Sequence, residues 1–537
     1  MKKIQYLFAT LVLSLGLTSC GDSFLTQYPE GAVLLEDQFA KLPDNLKGSI
    51  LGIYSKFYAY GGDHDEFGLR AMDMYSDIQS GDMAMKKSKY GWFEMYERGY
   101  FYAYARGYIW PFYYEIINLT NLGIIAVEAN IPEILGTMES GEDPMETIKL
   151  QGFYYGQLLA LRGWAYANLL NYYCDPMDVI DDMETEKAIP VYTETEVKNG
   201  TLGEPLSTVA EVYDRIFEDL STGIEVLDYY SQYTDRASKL EVNADVARLM
   251  LAYAMLNQGA AQGKIYNGGK DNAYAVAVQR ASEVIGKYPI LPQAKLYTTG
   301  FADVNAENWM WGQDVTVETT TALASFFGQV DIHTYSYAAA GDTKAIDSNL
   351  YDELAANAWD ARVGWFRSGE EAFPYCPDRK FYSPAYKDVT ELTQVDGEWL
   401  NDNVFMRVEL AYLIAAEAAY QNGDQAGAKN YLKMLCDERV IPGQEEAYNA
   451  WLNSLSGEKL KQAIIYNWRV EMWGEGYSLQ LLRRFQKERT LGTNHLERSG
   501  VKIDIQGDYM IRCQCEIPTS ESRYNPNIGT TTLAKDN

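Results

Sequence analysis

Apolar positions along this chain recur mainly at steps of three and four, the spacing of one helix face, and seldom at the two-residue alternation of a strand. Within 154–173, Leu158, Leu161, Ala165, Leu169 and Tyr172 form one such stripe. Pro205-Leu206-Ser207 predicts a helix start ahead of a helix over 209–229, with Ser207 placed to accept an orphan amide. Further helices are predicted over 243–258 and 272–287, the second stopping before Pro289, which holds Tyr288 out of helical geometry. The clearest pair is 405–420 and 425–438, joined by the polar turn Gln421-Asn422-Gly423-Asp424.

On the first helix of that pair, Ala411, Ala415, Ala416, Ala418 and Ala419 remove bulk, so a neighbouring helix can come close. Small residues facing large ones across a short glycine turn resemble the unit of tetratricopeptide repeats, although no 34-residue period is kept. The expected fold class is therefore mostly α, with tetratricopeptide-like helix pairs supporting an irregular, loop-rich ligand-binding face. Scaffold pieces fall near 110–130, 154–174, 208–290, 404–440 and 459–485.

Two insertions interrupt the helices. Residues 61–107 carry Asp63, Asp65, Asp73, Asp77 and Asp82, then Tyr90, Trp92, Phe93, Tyr96, Tyr100, Phe101, Tyr102 and Tyr104. Residues 300–400 carry Trp309, Trp311, Phe326, Phe327, Tyr335, Tyr337, Trp365, Phe366, Phe381, Tyr382 and Trp399. Loops of this length are either functional or disordered, and the aromatic content argues against disorder.

Composition narrows the partners. The chain has 537 residues, room for several domains or one large one, and 47% hydrophobic with 23% charged residues is a folded composition. Lys and Arg number 46 against 75 Asp and Glu, a net charge of −29. Such a surface repels a polyphosphate backbone and anionic lipid, which excludes nucleic acid and leaves apolar or covalent anchoring as the route to a membrane. There are 43 Tyr against 18 Phe and 11 Trp, and only His64, His333 and His495 could serve as histidine bases.

The N-terminus predicts an exported chain. Lys2 and Lys3 precede an apolar run over 4–17, shorter than the roughly 20 residues of a membrane-spanning helix. It closes on Leu17-Thr18-Ser19-Cys20, which resembles a bacterial lipobox: residues 1–19 would be a lipoprotein signal peptide and Cys20 the lipidated first residue of a body over 20–537. The alternative is a plain secretory signal with an incidental cysteine. Cys174, Cys376, Cys436, Cys513 and Cys515 are odd in number and scattered, so they describe no disulfide framework and are expected to be packing residues.

Several stretches, in order, carry a resemblance. They are Cys20-Gly21-Asp22-Ser23-Phe24-Leu25; an aromatic helix over 110–121 ending in Asn121; Leu161-Arg162-Gly163-Trp164-Ala165-Tyr166 with Ile189-Pro190 downstream; 407–417 followed by Gly423; Asn467-Trp468-Arg469-Val470-Glu471 with Glu475-Gly476; and Ile517-Pro518 with Asn525-Pro526. In this order and spacing the chain resembles the SusD/RagB family of surface glycan-binding lipoproteins. It departs from the family at Gln157, often acidic there, and at Tyr173-Cys174-Asp175, where Phe-Gly-Asp is common. The resemblance implies one large helical domain, lipid-anchored and surface-exposed at the outer membrane, that binds a glycan without cleaving it and sits on a SusC-type TonB-dependent transporter. It implies no cofactor.

Sugar rings have apolar C–H faces and a rim of hydroxyls, so a glycan site wants flat aromatic platforms with carboxylate, amide or guanidinium groups at their edges. The candidate glycan-binding residues are Asp73, Asp77, Trp92, Tyr96, Arg98, Trp309, Trp311, Tyr335 and Tyr337. Asp73 and Asp77 lie one helical turn apart, on one face if that segment is helical. For each ring the competing role is core packing, and for the two aspartates a solvated face. Peptide capture, as in the RagB branch, is the alternative ligand class, and the ring density favours glycans. A tethered glycoside hydrolase ranks last: paired carboxylates occur by chance among so many acids, and no G-x-S-x-G, H-E-x-x-H or P-loop pattern is present. No catalytic residue and no metal ligand is assigned. Residues 63–74 miss an EF-hand at Phe67 and Met74, so a solvated acidic turn is the simpler reading there, with a calcium loop of another type left open. Glu417, Arg469, Glu471, Glu475 and Arg483 are expected to form ion pairs that fix helix packing.

Overall fold

The computed structural model describes residues 42–98, 101–234, 239–260, 272–384, 399–485, 488–504 and 515–528, with the side chains of 101–107 left aside. The signal peptide, Cys20, Tyr100, Cys513 and the rings of Phe101, Tyr102 and Tyr104 lie outside the described residues.

The chain is mostly helical. The principal helices are α1 (Asp44–Lys56), α2 (Leu69–Ser80), α3 (Phe101–Val127), α4 (Glu146–Tyr173), α5 (Val209–Tyr230), α6 (Ala244–Gly259), α7 (Ala273–Ser282), α8 (Glu409–Gln421), α9 (Gln425–Cys436), α10 (Gly457–Glu471) and α11 (Ser478–Arg484). They stack in series: α1 on α3, α3 on α4, α4 on α5, and so on through α6, α7, α8 and α9. Close approach of α4 and α5 depends on glycine. A Cβ on Gly156 would meet Leu227 Cγ at 2.8 Å, and one on Gly163 would meet Leu220 Cγ at 2.9 Å. Polar caps set the starts. Thr208, not Ser207, caps α5: its hydroxyl accepts from Glu211 N at 3.1 Å while the Glu211 carboxylate accepts from Thr208 N at 2.7 Å.

Among the described residues, three two-stranded ladders join segments apart in the chain: β1 (Met83–Ala84) with β3 (Ala345–Ile346), β2 (Trp309–Gln313) with β4 (Asn403–Arg407), and β5 (Glu488–Thr490) with β6 (Lys502–Asp504), all antiparallel. β4 corrects the expected helix over 405–420. Val404 and Met406 are buried while Asn403 and Phe405 are less so, a strand alternation that the apolar run of α8 hides in the sequence. α3 starts earlier than expected and holds Pro111 inside it, and α2 makes part of the first insertion regular.

Neighbours in the stack are therefore the anchor points of the insertions. The first leaves between α1 and α3, and the second between α7 and α8. They meet at the β1–β3 ladder, where Met83 pairs with Ile346 and Ala84 with Ala345.

Buried charges hold both insertions to α10 and the turn after it. Glu471 receives Arg407 at 2.8 Å, Arg439 at 2.8 Å and Arg362 at 3.1 Å, and all four side chains are fully buried. Glu475 receives Arg407 at 2.8 Å and Lys380 at 2.8 Å. Burial would raise the Glu471 carboxyl, but the Arg439 and Arg407 guanidiniums hold it well below the usual carboxylate range. On the first insertion, Asp82 accepts from Arg469 Nε at 2.9 Å and from Arg489 at 2.5 Å. Glu417 pairs with Arg484 at 2.6 Å, and Arg483 donates to the carbonyls of Asn171 and Cys174. Cys174, Cys376 and Cys436 are free thiols and buried, and Cys515 is buried.

Glu471→Gln removes one carboxylate from three buried guanidiniums. It should cost about 3–5 kcal/mol in denaturant unfolding, and an unchanged midpoint would contradict the role given to it. A second test is pH. Burial pushes Asp65 up to about 6, Asp73 to about 7 and Asp77 to about 8, against ordinary values near 4. The native state thus keeps protons that the unfolded chain has lost. The stability these groups supply is complete below about pH 4 and lost as pH rises through about 6 to 8. Denaturation in urea should show the protein more stable at pH 5 than at pH 8, and the reverse order would contradict the burial of these carboxylates.

Candidate functional site

Where the two insertions meet, a group of rings opens to solvent. Tyr60 is 49% exposed, Tyr90 47% and Tyr335 42%, and His64, Trp92 and Tyr337 lie half-buried among them. The His64 ring stacks on Trp92 with centroids 5.1 Å apart and planes 15° apart. Tyr337 closes on both, 5.7 Å from His64 and 6.4 Å from Trp92, and sits edge-on to Tyr90 at 5.1 Å. Tyr337 Oη and His64 Nδ1 are hydrogen-bonded at 2.7 Å.

The local chain explains why these rings face outward. Gly91, at φ +87°, turns the backbone between Tyr90 and Trp92. Phe93 follows in the left-handed region at φ +65°, costly for a bulky residue, and its ring is buried 5.6 Å from Tyr75. One turn thus sends Phe93 inward and leaves Tyr90 and Trp92 at the surface. His64 sits in the Gly61–Glu66 turn, closed by Gly61 N donating to Glu66 O at 2.7 Å.

Support from below is polar and buried. Gln329 Nε2 donates to His64 O at 2.9 Å, and Lys344 Nζ donates to Gln329 Oε1 at 2.7 Å and to Asp342 O at 3.0 Å. Burial pushes the Lys344 ammonium down to about 8 against the pull of Asp342. Trp399 Nε1 donates to Tyr335 O at 3.2 Å. The rings are therefore fixed in place before any ligand arrives, which lowers the ordering cost of binding. Flat faces with tyrosine hydroxyls and an imidazole at their edges can stack on a ring of comparable size and hydrogen-bond its rim. Among the described residues, no group of three or more His, Cys, Asp or Glu side chains is arranged to hold a metal ion.

Family models cover both halves of this architecture. One, described as "Starch-binding associating with outer membrane", matches residues 53–251, and the SusD family model matches residues 374–527. The chain belongs to the SusD family. Solved structures agree on the fold. A SusD-like carbohydrate binding protein from Bacteroides vulgatus ATCC 8482 is 20% identical over 92% of this chain and 99% of its own, with a TM-score of 0.66. A SusD superfamily protein from Bacteroides thetaiotaomicron VPI-5482 is 19% identical over 90% and 98%, TM-score 0.63, and one from Bacteroides fragilis is 18% identical over 91% and 99%, TM-score 0.66. No curated protein matches the chain.

Within this SusD-family fold the residues singled out from sequence separate into two groups. Trp92 and Tyr337 come together in the ring cluster, and Tyr335, two positions before Tyr337, is exposed beside it. Tyr96, Trp309 and Trp311 do not: each is 1% exposed. Tyr96 stacks on Tyr75 at 4.2 Å, and Trp311 packs against Phe57 and Phe405, each at 5.1 Å, so none offers a free face to a sugar. Asp73 and Asp77 do lie on one helix, α2, but both face inward. Asp73 binds Arg70 at 2.5 Å and lines a cavity of about 80 Å³ with Trp311 and Glu475, and Asp77 accepts from Gly474 N at 2.6 Å. Arg98 is taken up by Glu94, at 2.6 Å, and Glu497. Sequence reasoning left out Tyr60, Tyr90 and His64. The last was read as part of an acidic turn, and its ring stacking depends on a contact with Trp92 that spacing does not reveal.

The division between surface platform and core is open to test by stability. Trp311→Ala should cost about 3–5 kcal/mol, while Tyr90→Ala and His64→Ala should each cost under about 1 kcal/mol. Equal losses in urea titrations would mean that the cluster is part of the core.

Proposed function

We propose that this protein captures a glycan on the Tyr60–His64–Tyr90–Trp92–Tyr335–Tyr337 cluster and releases it unbroken to a SusC-type TonB-dependent transporter. In this reading it is held at the outer membrane surface by a lipid on Cys20. No helix among the described residues is long and apolar enough to cross a membrane, so a covalent anchor is a suitable tether for such a body. Membership of the SusD family and the carbohydrate-binding relative from Bacteroides vulgatus support the ligand class.

The observation that carries the proposal is the fixed, solvent-facing group of rings built jointly by two insertions. Stacking a flat ring on an aromatic side chain contributes about 1–3 kcal/mol in the nucleic-acid analogue, so two or three contacts give capture that remains reversible. Reversibility suits a protein that must hand its ligand on. Peptide capture would draw instead on backbone pairing and apolar pockets.

The test is calorimetry or affinity electrophoresis against a panel of polysaccharides and, separately, tryptic peptides. Trp92→Ala and Tyr337→Ala should each weaken glycan binding about five- to a hundredfold with the thermal midpoint retained. Binding of peptides in place of glycans, or release of reducing ends from a bound polysaccharide, would overturn the proposal, as would normal glycan binding by both variants.

A further inference from the structure

The strand β1 leads into the ring cluster through Met85-Lys86-Lys87-Ser88-Lys89-Tyr90-Gly91-Trp92. Residues 83–93 hold three lysines and no acid, in a chain whose net charge is −29. Lys86, Lys87 and Lys89 are all exposed, and none forms an ion pair among the described residues. Many of the protein's other cations are committed to carboxylates, as at Arg98 with Glu94 and Glu497, or Arg407 with Glu471 and Glu475. Single unpaired lysines such as Lys187 and Lys459 occur elsewhere among the described residues, but here three lie on one short loop.

The loop is held in place. Lys89 N donates to Asp342 Oδ1 at 3.2 Å and Lys89 Nζ to Ala340 O at 3.2 Å, which ties the segment to the second insertion. Gly91 N donates to Ser88 Oγ at 3.1 Å. Lys89 Nζ lies 5.2 Å from the centre of the Tyr90 ring, so a positive charge already sits against a platform. Lys86 and Lys87 precede Tyr90 by four and three residues, within about 14 Å even of a fully extended chain.

We infer that the preferred ligand is an anionic glycan, one bearing uronate carboxylates or sulfate esters, with its sugar faces on the rings and its charges on Lys86, Lys87 and Lys89. This rests on the glycan-capture reading and adds the chemical class of the sugar. A pyranose stacked flat on Tyr90 or Trp92 projects an equatorial carboxylate or sulfate sideways, beyond the rim of the platform, towards Lys89 and the loop that carries Lys86 and Lys87. The overall negative charge does not forbid this. At physiological ionic strength the screening length is about 8 Å, so charges on the far side of the body act weakly while the loop acts at contact. The same charge continues to exclude duplex nucleic acid, whose phosphates recur every ~1.7 Å of axis and engage a wider surface than three lysines. Two acids beside the loop are occupied: Asp342 accepts from Lys89 N, and Glu94 pairs with Arg98, while Asp63 and Glu66 flank His64 within the cluster.

The test pairs polymers by charge: polygalacturonate, alginate and chondroitin sulfate against their neutral counterparts, methyl-esterified pectin, galactomannan and desulfated, carboxyl-reduced chondroitin. Affinity is measured by calorimetry at 50 mM and 300 mM sodium chloride, on the full chain and on the Lys86→Ala/Lys87→Ala/Lys89→Ala variant. Expected are tighter binding of at least one anionic polymer than of its neutral partner, weakening in high salt, and a loss of about tenfold in the triple variant with neutral-polymer binding unchanged. Stronger binding of neutral polymers, or anionic binding insensitive to salt and to the triple substitution, would overturn the charge inference while leaving glycan capture standing. Failure of every polymer, neutral and charged, would overturn capture itself and this inference with it.

Discussion

A carboxylate that cannot reach water is tolerable only beside its counter-ions, and Glu471 makes that constraint the keystone of this structure. It lies at the end of α10 with three guanidiniums around it, from Arg362 in the second insertion, Arg407 at the end of β4 and Arg439 after α9. One turn on, Glu475 adds Lys380, again from the second insertion. Each of these groups would be ruinous in the interior if displaced, because an unpaired buried charge is far costlier than a lost surface contact. The long segment between α7 and α8 is thereby fixed at several points to the helical stack. Asp82 does the same for the first insertion through Arg469 and Arg489, so α10 gathers both. These pairs specify position.

That fixing gives the ring cluster its character. His64, Tyr90 and Trp92 come from one insertion, with Tyr60 just ahead of it, and Tyr335 and Tyr337 from the other, so the platform exists only when both are docked. The β1–β3 ladder and the Lys344–Gln329–His64 relay then set the two sides in register. Function in this account is a surface property carried by loops, while the regular helices supply rigidity. A preformed platform of modest affinity is suited to passing a ligand along, since little ordering is needed on binding and little contact must be broken on release.

The helical stack was legible in the sequence because periodicity reports burial of one face: α5, α6 and α9 lie close to the expected bounds, α4 ends where expected but starts eight residues earlier, and the buried pairing of Glu417, Arg469, Glu471 and Glu475 follows from charges on helix faces. β4 was hidden since five residues of alternation run directly into the apolar surface of α8. The two insertions were correctly suspected of carrying aromatic surface, yet three of the six rings chosen there as candidates, Tyr96, Trp309 and Trp311, are core. The sequence could not separate Trp92 from Trp309, because the difference lies in Gly91 and Phe93 adopting positive φ in one case and in a ladder with β4 in the other. Asp73 and Asp77 looked like a ligand pair for the same reason: helix spacing shows that two carboxylates share a face, not which way that face looks. His64 joined the site through a partner 28 positions away, a contact set by tertiary structure alone.

The most direct measurement is a crystal structure of the protein soaked with an oligosaccharide that it binds in solution. The account predicts sugar density lying flat across Trp92 or Tyr90, bordered by Tyr337 and Tyr335, with the ring positions unchanged from the unliganded protein. Density confined to another surface, or a cluster that must rearrange its two insertions to admit the sugar, would contradict the claim that buried charge holds a ready-made platform in place.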